Sequence, residues 1–213
     1  MQLYFVMLGP PGAGKGTQAK TVSQELDIAH ISTGDLFRDN IARKTDLGKQ
    51  VEEILASGAL VPDKLTVEMV RQRFQESDAK NGAVLDGFPR TPGQAKALDS
   101  LLAEFDASIA LVPYVRVSDN LLVERLTGRR TDEQTGKIYH LKYNPPPPDA
   151  KLTHRPDDQE DTVRRRLQEY EKNTAPLIEY YREKGVLREI DGEQAIEAVT
   201  ADLLGIIKAD MTA

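Results

Sequence analysis

The chain has 213 residues, of which 39% are hydrophobic and 29% are charged, values that are ordinary for a soluble globular protein with a sizeable core. Its formal net charge of −6 argues against broad, charge-driven binding to nucleic acid, so no nucleic-acid partner is expected. Cysteine is absent, which excludes disulfides and thiolate metal sites and fits a cytoplasmic protein. The apolar N-terminal run is too short to span a membrane and lacks a basic leader, so neither a membrane anchor nor a signal peptide is expected.

Short apolar runs alternate with amphipathic helical patterns along the chain. Strands are predicted at Leu3–Leu8, Ile28–Ile31, Ala83–Leu85, Tyr114–Val117 and Leu187–Ile190. Apolar residues at helical spacing lie between these strands and again near the C-terminus, from Ile196 to Ile206. Pro176 should kink or divide the long helical segment Glu160–Lys184. The alternation predicts an α/β fold with a parallel sheet.

Two stretches interrupt the alternation. Residues 32–61 place two helices between neighbouring strands, which is more than a plain crossover requires. Residues 128–158 are polar, contain the run Pro145–Pro148 and show no clear period. A loop of this length inside a compact domain is usually functional, often a lid, and the alternative is a disordered insertion.

The glycine-rich turn after the first strand predicts a phosphate site. Its sequence GPPGAGKGT follows the pattern G-x-x-x-x-G-K from Gly9 to Lys15, but Gly16 stands where a hydroxyl that binds Mg²⁺ is expected. The hydroxyl comes one residue later, at Thr17, which also makes a Rossmann fingerprint a poor fit. The glycines let several N–H groups point into one concavity, and the helix that begins near Lys15 adds its positive end. The alternative is a tight turn without a ligand.

The turn resembles the phosphate loop of the nucleoside monophosphate kinases, in which glycine after the lysine is normal. Further motifs appear in the order of that family: ISTGD at 31–35 with Arg38, DGFPR at 86–90 with Gln94, GRR at 128–130, and then Arg155 and Arg166. They cover nearly the whole chain, and within the family the bacterial adenylate kinases are the most similar.

The resemblance implies a P-loop NTPase fold. Its five-stranded parallel sheet, in the order 2-3-1-4-5, is flanked by helices and carries two mobile inserts. The core would comprise residues 1–31, 62–127 and 159–213, with a nucleoside-monophosphate-binding insert at 32–61 and a lid at 128–158.

The implied activity is Mg²⁺-dependent transfer, ATP + AMP ⇌ 2 ADP, by a cytoplasmic monomer whose small-molecule partners are ATP, AMP and ADP. Such transfer needs positioning and charge stabilisation rather than a strong nucleophile, and guanidinium groups suit phosphate oxygens. The catalytic residues implied are Lys15, Arg38, Arg90, Arg129, Arg155 and Arg166. ATP would contact Gly12, Ala13, Gly14, Lys15, Gly16, Thr17, Arg125, Arg129, Ile138, Tyr139 and Gln194. AMP would contact Thr33, Arg38, Ala59, Leu60, Val61, Gly87, Phe88, Pro89, Arg90, Gln94, Arg155 and Arg166.

The resemblance also bears on metals. Mg²⁺ would be held mainly by nucleotide oxygens and waters, with Asp86 acting through a metal-bound water. Some lids of the family bind structural zinc, mostly through cysteine, and here no such zinc is expected. Asp132 and Thr135 fall near the first pair of those positions, where a hydrogen-bond network is expected instead.

Some alternatives stay open. Thr33 and Gln94 favour AMP over UMP or CMP as acceptor, whereas the residues of the lid do not decide between ATP and GTP. Among the neighbours Arg164, Arg165 and Arg166, only Arg166 is expected to face the cleft. A regulatory P-loop switch and a kinase of another small molecule remain rival functions.

Overall fold

Five parallel strands form the central sheet of the structure, a computed structural model that describes residues 2–212 and the side chains of residues 2–210. They are β1 (Leu3–Met7), β2 (Ala29–Ser32), β3 (Gly82–Asp86), β4 (Ile109–Arg116) and, last in the chain, β8 (Leu187–Asp191). Their spatial order is β2-β3-β1-β4-β8. The predicted α/β class, the parallel sheet and the strand order are therefore confirmed.

Both faces of the sheet are buried, as the continuous apolar runs predict for parallel strands. Side chains alternate along β1, so Tyr4, Val6 and Leu8 join one hydrophobic core, whereas Phe5 and Met7 join a second core on the opposite face. Helices cover both cores. The carboxyl ends of the strands thus point towards one rim, where the loops carry the motifs identified in the sequence.

Nine α-helices flank the sheet and its connections within residues 2–212. They are α1 (Lys15–Leu26), α2 (Thr33–Ala42), α3 (Asp46–Ala56), α4 (Asp63–Phe74), α5 (Pro92–Ala103), α6 (Asp119–Thr127), α7 (Glu160–Glu169), α8 (Pro176–Glu183) and α9 (Ile196–Thr212). Ser32, Thr45 and Thr91 cap α2, α3 and α5 by accepting backbone N–H bonds. Such a cap stabilises a helix by about 1 kcal/mol.

The fourth strand is longer than predicted. It begins at Ile109 rather than Tyr114 and passes through Pro113, a residue that argues against a central strand because it lacks an N–H. The register between β1 and β4 shifts along this stretch, and the Pro113 carbonyl still accepts a 2.9 Å hydrogen bond from the Leu8 N–H. Pro113 thus takes part in the sheet through its carbonyl alone.

The stretch 32–61 contains the two predicted helices, α2 and α3. Together with α4 they build a small core, in which Phe37, Val51, Val61 and Met69 are buried. This core lies beside the two cores of the main sheet.

The stretch 128–158 is folded, so the alternative of a disordered insertion is wrong. It forms an antiparallel sheet of β5 (Arg129–Asp132), β6 (Ile138–His140) and β7 (Leu152–Thr153), in the order β6-β5-β7. In the turn after β5, Asp132 Oδ1 accepts hydrogen bonds from Thr135 N at 2.7 Å and from Thr135 Oγ1 at 2.8 Å. The predicted network around these two residues is therefore present.

The segment Glu160–Lys184 is divided as predicted. A π-helical turn, Tyr170–Thr174, separates α7 from α8, and Pro176 is the first residue of α8, where no N–H bond is lost. Across residues 2–212, every helix is too short or too polar to cross a bilayer.

Candidate active site

The glycine turn ends in an open helix terminus. Gly14 precedes α1 with φ of 92°, a conformation that favours glycine, and no side chain in the described part of the chain caps the helix. The first N–H groups of α1 therefore remain available to an anion. Lys15 Nζ donates to the carbonyls of Gly9 at 2.7 Å and Pro10 at 2.8 Å, which keeps the ammonium inside the loop.

The environment of Lys15 disfavours the charged form of its ammonium group. Withdrawal from water lowers the pKa of Lys15 to about 8; Asp86 opposes this shift, and the charges of Arg90, Arg166 and Arg129 add to it. Burial is the largest cause, and the three guanidinium groups add positive charge to the site around Lys15. The site is prepared for a polyanion, whose arrival would relieve the repulsion.

Asp86 explains the glycine that follows Lys15. A Cβ at Gly16 would lie 3.0 Å from Asp86 Oδ2, so the carboxylate occupies the space that a serine or threonine would need. His30 Nε2 lies 3.8 Å from the same oxygen. Burial alone would raise the pKa of Asp86, but the His30 imidazole and the charges of Lys15 and Arg90 outweigh it, and the pKa is lowered. Asp86 is therefore ionised.

A second set of contacts centres on the carbonyl of Gly87, one residue beyond β3. This oxygen accepts a hydrogen bond from Thr33 Oγ1 and another from Arg90 Nε, both at 2.8 Å. Gly87 has φ of 75°, and a Cβ there would lie 2.8 Å from Arg90 Nη2. The glycine thus permits the close approach that fixes the Arg90 side chain.

A small cavity adjoins this carbonyl. Its lining comprises Thr33, Phe37, Leu55, Ala59, Leu60, Val61, Thr66, Gly87, Arg90 and Gln94. Seven of the twelve residues predicted to contact AMP are among them. Phe88 is buried in the main core instead, and Pro89, Arg38, Arg155 and Arg166 are absent from the lining. The cavity has a volume of about 20 Å³, which is room for little more than a water molecule.

Two of the arginines that the sequence singled out, Arg129 and Arg166, are held by carboxylates. Arg129 makes a bidentate pair with the fully buried Asp158, at 2.8 Å through Nε and 2.6 Å through Nη2. Arg166 Nη1 lies 2.7 Å from Asp157 Oδ2 and 3.4 Å from Asp158 Oδ1. Sequence analysis did not identify either aspartate, although both follow Arg155–Pro156 directly and could have been suspected as partners of the arginines.

Two other arginines reach the same region. Arg38 pairs with Asp35 at 2.6 Å, and Arg155 Nε donates to Thr131 Oγ1 at 3.1 Å. Burial lowers the pKa of Arg155 to about 10, and repulsion from Arg38 and Arg129 contributes. The pKa of Arg166 also falls to about 10 for the same kinds of reason. The guanidinium groups thus remain charged at neutral pH while crowding one another.

The neighbouring arginines face elsewhere. Arg164 pairs with Glu160 on the exposed side of α7, and Arg165 contacts Thr162. Arg130 donates to the carbonyls of Thr127 and Arg129 rather than to a carboxylate. Arg166 is therefore the member of its triplet that turns towards Asp157 and Asp158.

The residues predicted around the ATP base are less closely grouped. Arg125 Nη1 donates to the Gly192 carbonyl at 2.9 Å, which brings it beside the turn that carries Gln194. The Gln194 side chain bonds Asp202 and lies in an open groove between β8 and α9. Strand pairing places Ile138 opposite Thr131 and Tyr139 opposite Arg130, so only Ile138 shares the face of Arg129.

A family model described as adenylate kinase matches residues 7–186. The chain belongs to the adenylate kinase family. The matched region contains the glycine turn, the Gly87 cavity and the arginines that contact Asp157 and Asp158, whereas Gln194 lies beyond it.

Several relatives named adenylate kinase match almost end to end. The protein of Moorella thermoacetica is 51% identical over 202 residues, which cover 92% of this chain and 93% of the relative. That of Clostridium perfringens strain 13 is 46% identical over 99% of this chain and 100% of its own length. The adenylate kinase of Archaeoglobus fulgidus is 47% identical over 96% of this chain and 97% of its own.

Proposed function

We propose that the chain catalyses the reversible transfer of the γ-phosphoryl group of ATP to AMP, giving two ADP, and so maintains the adenine nucleotide balance. One observation carries the assignment. Arg90 lines the cavity beside Gln94, and its charge also acts on Lys15 at the open end of α1. A phosphoryl donor on the glycine turn and an acceptor at the cavity would therefore meet at the arginines.

The donor phosphates would bind the free N–H groups of α1. Lys15 would exchange the carbonyls of Gly9 and Pro10 for phosphate oxygens, because an ammonium is a mobile point charge on a flexible stem. Thr17 is exposed in the first turn of α1, where it would lie near the same phosphates. Arg125 would stack on the donor base, with Ile138, Tyr139 and the Gln194 backbone around it.

The arginines would stabilise the transferred group. Arg38 and Arg90 would hold the acceptor phosphate, while Arg129, Arg155 and Arg166 would bind the group in flight. Asp157 and Asp158 keep Arg129 and Arg166 folded inward before substrate arrives, which limits the side-chain entropy lost on binding. Planar guanidinium groups then match the phosphate oxygens.

Mg²⁺ would accompany ATP. Asp86 is ionised and stands beside Gly16 and Lys15, so it would act on the ion through a metal-bound water. Bound in this way, the ion supplies charge neutralisation of the donor phosphates. A hydroxyl ligand at position 16 is not required for that role.

We expect the stretches 32–61 and 128–158 to move as an acceptor-binding insert and a lid. A cavity of about 20 Å³ cannot admit a purine, so entry of AMP requires α2 and α3 to move away. Gly58, at the end of α3, packs closely on Arg166: a Cβ there would lie 2.8 Å from Arg166 Cγ. Closure over both nucleotides would exclude water, so that ATP is transferred rather than hydrolysed.

A coupled assay of ADP formation tests the assignment. ATP and GTP are supplied as donors, each with AMP, GMP, CMP and UMP as acceptors. We expect ATP with AMP to give the highest kcat/KM. Absence of ADP from every pair would favour a regulatory switch, and a strong preference for another acceptor would favour a different kinase.

We further infer a monomeric, cytoplasmic enzyme, as the resemblance implies. Light scattering should give a mass near 23.7 kDa with or without nucleotide. A mass near twice that value would contradict the monomer.

Nucleotide binding should be accompanied by proton uptake at pH 8. With a pKa of about 8, Lys15 is roughly half protonated in the free protein at that pH, and bound phosphates favour its charged form. Binding of ATP should then take up about half a proton. Calorimetry in two buffers with different ionisation enthalpies gives this number, which should shrink towards zero at pH 6.5. Lys15→Arg is the matched control, because its guanidinium stays charged; equal uptake by both proteins would contradict the origin in Lys15.

Gly16→Ala should impair catalysis through Asp86. The added methyl would stand 3.0 Å from Asp86 Oδ2 and displace the carboxylate. We expect kcat to fall by roughly ten- to a hundredfold, since small misplacements in such sites are costly. Steady-state kinetics over a range of Mg²⁺ concentrations measure the change. Gly205→Ala in α9, where a Cβ meets no atom of the described residues within 4 Å, controls for the substitution itself. Normal turnover of Gly16→Ala would show that the carboxylate position is unimportant.

A further inference from the structure

The side-chain amide of Gln94 is fixed from two sides. Its Oε1 accepts a 2.7 Å hydrogen bond from the Arg90 backbone N–H. Its Nε2 donates a 2.7 Å hydrogen bond to Asp63 Oδ1 at the start of α4. Gln94 is 2% exposed and lines the cavity that would take the acceptor base.

These partners leave the amide one orientation. A carboxylate only accepts hydrogen bonds and a backbone N–H only donates them, so turning the amide by 180° would set oxygen against carboxylate and N–H against N–H. Asp63 is itself held, because its Oδ2 accepts a 2.8 Å bond from Thr91 Oγ1, the residue that caps α5. The hydrogen-bond partners of Gln94 therefore fix the orientation of its amide.

The fixed amide presents a defined pattern. Among the described residues, the two bonds leave one lone pair on Oε1 and one N–H on Nε2 for a ligand. Adenine offers an N6–H donor beside the N1 acceptor, which complements this pair. Hypoxanthine and guanine offer an O6 acceptor beside an N1–H donor, which is the reverse pattern.

We infer that Asp63 is a specificity-determining residue, which excludes 6-oxopurine nucleotides by preventing Gln94 from turning over. Asp63 touches no substrate and acts through Gln94. This role rests on the proposed function, and it specifies which nucleotides the acceptor site rejects.

The alternative is a purely structural carboxylate. Asp63 is an acidic residue in the first turn of α4, where any carboxylate is favourable, and it links α4 to Thr91. Loss of that role would weaken the protein and lower activity with every acceptor together. Only release of the Gln94 amide from its fixed orientation would change the ratio of kcat/KM between acceptors.

The experiment compares kcat/KM for AMP and for IMP, with ATP as donor, in the wild type and in Asp63→Asn. An asparagine has the same shape but can accept from Nε2 or donate to Oε1, so it tolerates both orientations of Gln94. We expect the ratio of IMP to AMP to rise about tenfold, because the Arg90 N–H still opposes the turned amide. The value for AMP should stay within about threefold of the wild type.

Asp46→Asn is the matched control. Asp46 is the first residue of α3, as Asp63 is of α4, and it pairs only with Lys49 on the surface among the described residues. Its variant should leave the IMP to AMP ratio unchanged. Asp63→Ala provides a second test of the lock, and thermal unfolding of each variant verifies that it is folded.

The possible outcomes distinguish the role of Asp63 from the proposed kinase function. A wild type that phosphorylates AMP, together with an unchanged ratio in both folded Asp63 variants, overturns the role of Asp63 and leaves the kinase assignment intact. A wild type that phosphorylates neither nucleotide overturns the proposed function itself. A raised IMP to AMP ratio in Asp63→Asn, with no change in Asp46→Asn, supports the role of Asp63 in holding Gln94.

Discussion

Arg90→Ala is expected to lower kcat by about a thousandfold or more, as for other arginines that stabilise phosphoryl transfer. Arg90 stands where the acceptor cavity meets the cationic region around Lys15, and both ends of the residue are fixed. Its Nε donates to the Gly87 carbonyl and its own carbonyl accepts from Thr174 Oγ1, each at 2.8 Å. Steady-state kinetics with saturating ATP and AMP measure the loss.

Arg71→Ala is the control for removal of a guanidinium. Arg71 pairs with Glu104 on the exposed side of α4, and its loss should leave kcat near that of the wild type. A near-normal kcat for Arg90→Ala would remove Arg90 from the catalytic residues and with it the central part of the proposed mechanism.

Asp158→Ala is expected to destabilise the fold. Asp158 has no solvent exposure, and its loss would leave the partly buried charges of Arg129 and Arg166 without their shared partner. Breaking such a pair costs about 3 kcal/mol or more, which lowers Tm by roughly 6–12 °C in a protein of this size. Calorimetric unfolding gives both numbers.

A second experiment distinguishes the loss of negative charge from the loss of packing in Asp158→Ala. A polyphosphate ligand supplies the missing negative charge, so ATP should raise the Tm of Asp158→Ala by more than it raises that of the wild type. Glu160→Ala removes an exposed partner of Arg164 and should change stability by less than about 0.5 kcal/mol. Equal Tm values for the two variants would show that Asp158 does not balance the buried arginines.

Local signals account for what the sequence predicted well. The strand, glycine turn and helix around Lys15 are adjacent in the chain. The phosphate loop and its open helix terminus could therefore be predicted from the local sequence that begins at Leu3. The five strands, their parallel order and the two helices of 32–61 followed from periodicity and resemblance. The division of the helix at Pro176 followed from the chemistry of proline.

Contacts between distant parts of the chain could not be predicted in the same way. Asp63 lies 31 residues before Gln94, and only the packing of α4 beside α5 brings them together. Strand β4 passes through Pro113, which pairs through its carbonyl alone, and no local pattern reveals this. The short strands of 128–158 depend on cross-strand pairs and on the Asp132 turn rather than on an apolar period.

The fate of the γ-phosphoryl group is the most direct test of the central claim. ATP labelled in its γ-phosphoryl group is incubated with AMP, Mg²⁺ and the protein, and the products are separated. We expect the label to appear as the β-phosphoryl group of ADP formed from AMP, with little released as inorganic phosphate. Label released as inorganic phosphate while AMP is left unconsumed, or label that stays on ATP, would contradict the assignment.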